Sequence, residues 1–124
     1  MQQKQVIYII EDTEEIATLI SIYLEKANFL PKIFFTAEQA FEEIQKDNIP
    51  ALFLLDLNLP GMSGFDFLNK IKEVTQRSIP TLIISARDAD EDIIKGLKLG
   101  ADDFITKPFS PRVLVAKIEA CLRR

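Results

Sequence analysis

Five side chains with chemistry to offer stand far apart along the chain: the adjacent acids Glu11 and Asp12, then Asp56, Ser85 and Lys107. Each alone is ordinary. A single Asp or Ser caps a helix, and a single Lys is a solvated surface charge. As a set they say more. Three carboxylates brought together repel one another and need a cation among them. Oxygen ligands without imidazole or thiolate suit a hard ion, Mg²⁺ ahead of Zn²⁺. The sequence has no histidine and one cysteine, Cys121, so softer ligand sets are not on offer. A hard cation beside a lysine is the arrangement that neutralises the equatorial oxygens of a phosphoryl group in transfer. A carboxylate can itself be the nucleophile and form an aspartyl phosphate. Asp56, which follows the middle apolar run, is the best placed for that task.

For these residues to meet, the chain between them must form the right elements. Short apolar runs at residues 6–10, 32–35, 51–55, 81–84 and 103–106 alternate with segments of helical period at 13–27, 37–47, 64–75, 88–99 and 110–122. The first, third and fourth runs are almost continuously apolar, as strands covered on both faces should be. Pro31, Pro50 and Pro80 each stand just ahead of a strand, and Gly100 follows a periodic segment as a C-terminal cap. Ser110-Pro111 reads as an N-cap followed by proline in the first helical turn. Five strands and five helices in strict alternation predict an α/β domain, a parallel sheet with helices on both faces. In such open sheets ligands bind outside the carboxyl ends of the strands. Glu11-Asp12, Asp56, Ser85 and Lys107 follow the first, third, fourth and fifth strands, as that rule demands.

Composition sets the limits. A length of 124 residues is enough for one core, and the net charge of −4, with basic residues scattered among acids, gives no electrostatic reason for direct nucleic-acid binding. No apolar stretch approaches the roughly 18 to 20 residues that span a membrane. One cysteine excludes an intramolecular disulfide. The expectation is a single cytoplasmic domain over residues 1–124, without a membrane segment, a linker or a repeat.

The runs Ile9-Ile10-Glu11-Asp12, Leu54-Leu55-Asp56-Leu57-Asn58-Leu59-Pro60-Gly61-Met62-Ser63-Gly64 and Gly100-Ala101-Asp102-Asp103-Phe104-Ile105-Thr106-Lys107-Pro108-Phe109 resemble the receiver domains of response regulators. The resemblance covers essentially the whole chain, in order and spacing. It implies a flavodoxin-like (CheY-like) doubly wound sheet, (βα)5, with strand order 2-1-3-4-5. It also implies a Mg²⁺ site, open to Mn²⁺ as well, and phosphorylation by a sensor histidine kinase. Asp56 would be the phosphoacceptor. Asp12, Asp56 and the backbone carbonyl of Asn58 would bind the metal, with Glu11 acting through a water. Lys107 would pair with Asp56 before phosphorylation and with a phosphoryl oxygen afterwards, and Lys107-Pro108 would be cis. Ser85 and Phe104 would form the switch: the hydroxyl draws the loop after the fourth strand inward, and the ring turns into the space left behind. Phe104 stands where tyrosine is commoner, so an outward hydrogen bond by that ring is lost. Asn58 and Arg87 lie where the family tunes dephosphorylation. Such a domain assists its own phosphorylation and dephosphorylation and is no turnover enzyme.

The final stretch, from Phe109 to Arg124, is similar to the winged-helix transcriptional class, in which phosphorylation promotes a homodimer through helix four, strand five and helix five. A DNA-binding domain would normally follow. None lies within these residues, so DNA enters only through such a missing domain. The charge pattern of the dimer face is altered. One expected ion pair is replaced by Ile93 and Val113, a second is reversed as Lys98 and Glu119, and a third remains as Asp103 and Lys117. Both ends changing together points to an interface kept but rewired, since replacing an ion pair by apolar contact is often neutral or stabilising.

Three other readings compete. An aspartyl-nucleophile phosphatase needs a second Asp two residues on, where Asn58 stands. A flavodoxin wants a Gly/Ser/Thr-rich phosphate loop after strand one, where Glu11-Asp12-Thr13-Glu14-Glu15 would repel phosphate. A phosphorylation-independent receiver, acting as a protein-binding module, has no need of the complete acidic set with Ser85 and Lys107, whereas a stand-alone receiver without an output domain stays open.

Overall fold

Apolar runs and amphipathic segments resolve into ten elements in the computed structural model, which describes residues 3–87 and 89–123. In chain order they are β1 (Val6–Ile10), α1 (Glu14–Lys26), β2 (Leu30–Phe34), α2 (Ala37–Gln45), β3 (Leu52–Asp56), α3 (Gly64–Val74), β4 (Thr81–Ser85), α4 (Asp90–Lys98), β5 (Asp103–Thr106) and α5 (Pro111–Arg123). The sheet is parallel throughout, in the order β2-β1-β3-β4-β5. That is the doubly wound, flavodoxin-like arrangement expected.

Burial explains which strands the pattern exposes most clearly. Every residue of β3 and of β4 is buried, as is all of β1 after Val6. Alternate residues of these strands feed two cores. Tyr8, Ile10, Phe53, Leu55 and Ile83 pack with α2 and α3, and Ile7, Ile9, Leu52, Leu54, Leu82 and Ile84 pack with α1 and α5. The edge strand behaves differently. It runs Leu30–Phe34 rather than over residues 32–35, so Pro31 lies inside it, opposite Ile7. A proline lacks the N–H a ladder needs, but an edge strand leaves one side of its backbone unpaired, and proline is tolerated there.

The first four helices are shorter than expected by one or two residues at an end, most of them caps such as Thr13, Ala27, Thr75 and Leu99, whereas α5 runs one residue further, to Arg123. Thr13 is an N-cap rather than a helical residue, while α2 begins at Ala37 as expected, capped by Thr36, whose hydroxyl accepts from Gln39 N–H at 3.2 Å. The fourth helix was expected from Asp88, which lies outside the described residues; α4 begins at Asp90 with Ala89 as its N-cap. Met1, Gln2 and Arg124 at the ends of the expected domain are likewise outside them. Gly100 follows α4 at φ +114°, a left-handed conformation suited to glycine.

Candidate functional site

Parallel strands that end together at one edge deliver their next residues to one place. Asp56 is the last residue of β3, paired in register with Ile84, and is 5% exposed. Glu11 follows β1, its backbone N–H still bonded to Phe34 O at 3.0 Å, and is 3% exposed. Asp12, next along, is exposed. One oxygen from each of these three carboxylates lies within 4.8 Å of the others. Lys107 arrives from the loop after β5. Its backbone N–H donates to Ser85 O at 2.9 Å, and the peptide bond to Pro108 is cis.

The Lys107 ammonium is shared. It donates to Asp56 Oδ2 at 2.9 Å, as the resemblance implied, and to Glu11 Oε1 at 2.6 Å, which it did not. The second oxygen of each acid is bonded too: Glu11 Oε2 accepts from Thr13 N–H and Asp56 Oδ1 from Asn58 N–H, both at 3.0 Å. Burial favours the neutral form of Glu11 and outweighs its bond to Lys107, so its carboxyl is held above its ordinary range. Burial pulls the Lys107 amine down, but its hydrogen bonds to Glu11 and Asp56, with their charges, outweigh that and raise it, so it stays an ammonium. All three acids offer only oxygen, with Asp12 open to solvent. This donor set fits a hard divalent cation.

Around this centre stand the remaining predicted residues. Ser85, fully buried at the end of β4, accepts from Arg87 N–H at 3.1 Å, which leaves the hydroxyl hydrogen to be donated elsewhere. It does not cap α4. Arg87 reaches across the mouth of the site: its Nε donates to Asn58 Oδ1 at 2.7 Å, and its guanidinium lies 3.5 Å from Asp92 in the first turn of α4. Phe104 is half-buried and packs on the core beside α4, where a Cβ on Gly96 would lie 3.9 Å from its ring. Of the expected dimer residues, Val113 is 48% exposed, Lys98 and Glu119 are exposed and Ile93 is half-buried. Asp103 and Lys117, expected as partners across an interface, are joined at 2.9 Å within one chain.

The sequence reading missed some of what lies here. Ile94 and Leu97 are the most exposed large apolar residues of α4, at 49% and 43%. Their spacing, with Ile93, is that of one helix stripe, a signal present in the sequence. Gly64 starts a helix and closes the Leu54–Gly64 run, but the sequence gives no sign of how close it lies: a Cβ there would be 2.5 Å from the Asp56 carbonyl oxygen and 2.8 Å from Leu57 Cα. Gly64→Ala is therefore expected to cost about 2 kcal/mol or more, since the clash is with backbone that cannot give way locally. It is also expected to slow chemistry at Asp56; thermal unfolding and phosphoryl uptake check the two effects.

Residues 7–119 match the response regulator receiver domain family, and the chain belongs to that family. It is 42% identical over 118 residues to the regulatory protein VanR of Enterococcus faecium, covering 95% of this chain and 50% of that one. It is 41% identical over 119 residues to the phosphate regulon transcriptional regulatory protein PhoB of Escherichia coli K12, covering 95% and 52%. The chain thus spans about half the length of these relatives. Among solved structures, the BeF3-activated N-terminal receiver domain of Klebsiella pneumoniae RstA superimposes with a TM-score of 0.85 at 33% identity, covering 96% of this chain and 99% of that one.

Proposed function

We propose that Asp56 accepts a phosphoryl group from a sensor histidine kinase and that this modification switches the face made by α4, β5 and α5. One observation carries the reading: a buried carboxylate at the end of the central strand, 2.9 Å from an ammonium and grouped with two further acids. An Asp56 carboxylate oxygen attacks phosphorus. The new O–P bond forms as the bond from phosphorus to the donor's imidazole nitrogen breaks, and that nitrogen keeps the electron pair. Lys107, already at Asp56 Oδ2, moves to a phosphoryl oxygen as the charge there grows. Asp12, Asp56 and the Asn58 carbonyl would hold Mg²⁺ or Mn²⁺, with Glu11 acting through water, and the ion when bound neutralises phosphoryl oxygens.

The Ser85 hydroxyl then donates to the phosphoryl group and draws the β4–α4 loop inward, and Phe104 turns towards the space this opens. Hydrolysis reverses the state, with Asn58 and Arg87 flanking the path of the attacking water. Beside the site, Ile16, Leu19, Pro108 and Phe109 line a largely apolar groove with Lys107. Leu19 and Ile22 of α1 are exposed at 44% and 46%. This surface suits the apolar face of a kinase helix presenting its phosphohistidine to Asp56.

Phosphorylation on this reading promotes a homodimer through Ile93, Ile94, Leu97 and Val113, with Lys98 facing Glu119 of a second copy. Asp103 and Lys117 are already satisfied within the chain and can exchange partners at little cost. A reversed charge pair would disfavour mixed dimers with relatives of ordinary polarity. Val113→Glu is expected to weaken the dimer at least tenfold, by placing a carboxylate against apolar Ile93. Sedimentation of the beryllofluoride-activated domain checks this, and a monomer in both proteins sinks the interface. Control of a DNA-binding output domain in a longer protein, and a cytoplasmic setting, complete the proposal. Among the described residues no helix is long and apolar enough to cross a membrane.

Intact-mass spectrometry after incubation with acetyl phosphate and Mg²⁺ tests the central step. The expected result is a gain of one phosphoryl group that a chelator abolishes. No gain turns the function towards a phosphorylation-independent binding module.

A further inference from the structure

The loop between β3 and α3 carries Asn58, and its backbone is held in place from a distance. Two of its ties are local: Gly64 N–H donates to Leu57 O at 3.1 Å, and Ser63 and Asp66 form a reciprocal cap on α3. Another, beside the Asn58 N–H bond to Asp56, comes from elsewhere. Glu38, in the first turn of α2, accepts from Met62 N–H at 3.1 Å across 24 residues of sequence. Among the described residues this is the one hydrogen bond that joins the backbone of residues 58–63 to a helix other than α3.

The contact is close on both sides. Gly61 sits at φ +73°, and a Cβ there would overlap the Glu38 carboxylate. The turn at Gly61-Met62 therefore wraps onto this carboxylate, and the backbone conformation at Gly61 is one that favours glycine. Glu38 forms no hydrogen bond or ion pair with Asp12, Asp56 or Lys107, so any part it plays in their chemistry passes through the loop.

We infer that Glu38 is a positioning residue: by holding Met62 it fixes the β3–α3 loop, and so sets how well Asn58 is presented to the cation and how fast Asp56 takes a phosphoryl group. The inference rests on the function proposed for Asp56. It requires a hydrogen-bond acceptor at residue 38, not a charge. Glutamine keeps an acceptor oxygen at the same reach, and alanine removes it.

The test compares wild type, Glu38→Ala and Glu38→Gln by two readouts. Mg²⁺ alone is titrated by amide NMR, following the Asn58 and Met62 signals, and phosphoryl uptake from acetyl phosphate is timed by intact mass. Loss of one hydrogen bond predicts about a fivefold loss of Mg²⁺ affinity and of uptake rate in Glu38→Ala, with Glu38→Gln close to wild type. The thermal unfolding midpoint of Glu38→Ala should fall by no more than a few degrees, as the loss of one exposed hydrogen bond allows. If the alanine variant matches wild type in Mg²⁺ affinity, or if glutamine fails alongside alanine, the positioning role is overturned. A wild type that takes no phosphoryl group would instead strike at the role of Asp56, and the Mg²⁺ titration would still judge Glu38.

Discussion

Asp56→Asn is expected to take up no phosphoryl group under conditions that label the wild type fully. The substitution preserves shape and removes a charged oxygen nucleophile, because an amide oxygen does not form a stable phosphoryl ester. Its structural cost should be small. The amide oxygen can keep the bond from Asn58 N–H, and Lys107, facing an amide hydrogen in place of Oδ2, retains Glu11 at 2.6 Å. One negative charge also leaves a group of three acids, which relieves repulsion in a chain without bound cation. The melting temperature should therefore equal or exceed that of wild type, so that lost labelling cannot be laid to unfolding. Labelling of the variant at wild-type extent would move the acceptor to Glu11 or Asp12 and overturn the assignment.

How far the sequence reveals this site depends on whether a feature is local. Strands β1, β3 and β4 could be read because burial on both faces leaves a continuous apolar run. The edge strand β2 could not be bounded, since Leu30 and Lys32 are exposed and Pro31 reads as a breaker. The strand-end rule selects Glu11, Asp12, Asp56, Ser85 and Lys107 without any knowledge of distances. It cannot say which acid Lys107 reaches, because that depends on the path of the loop after β5. Contacts that a loop makes with distant parts of the chain leave no periodic trace at all. Arg87 with Asn58 spans 29 residues and Glu38 with Met62 spans 24. The pairing of Asp103 with Lys117 shows the same limit from another side: spacing on two elements cannot separate a bond within one chain from a bond between two.

Lys107→Met is expected to lower phosphoryl uptake by about a hundredfold, the loss typical when one preorganised charge is withdrawn from a transition state. It should also lower stability at neutral pH by about 3 kcal/mol, because Glu11 and Asp56, 3% and 5% exposed, are left buried without their cation. The pH dependence separates this from a packing defect. The Lys107 amine is raised in the folded chain, so its contribution is whole below the unfolded value of about 10.4 and is lost as pH rises through the folded one. The gap between wild type and variant should thus close in strong alkali. Glu11 is also raised, mainly by burial, so the folded state favours its protonated form. Removing Lys107 strips away the bond that opposes this shift. The variant should consequently regain stability as pH falls from 7 towards the unfolded Glu value of about 4.3. A cavity in the core would show neither trend. Mg²⁺ added at neutral pH should restore much of the stability, because it too neutralises the buried acids, yet leave uptake far below wild type. Lysine can follow the charge from the carboxylate to the phosphoryl group, and a cation among the acids does not replace it in that step. Equal recovery of both properties with Mg²⁺ would reduce Lys107 to a structural counterion.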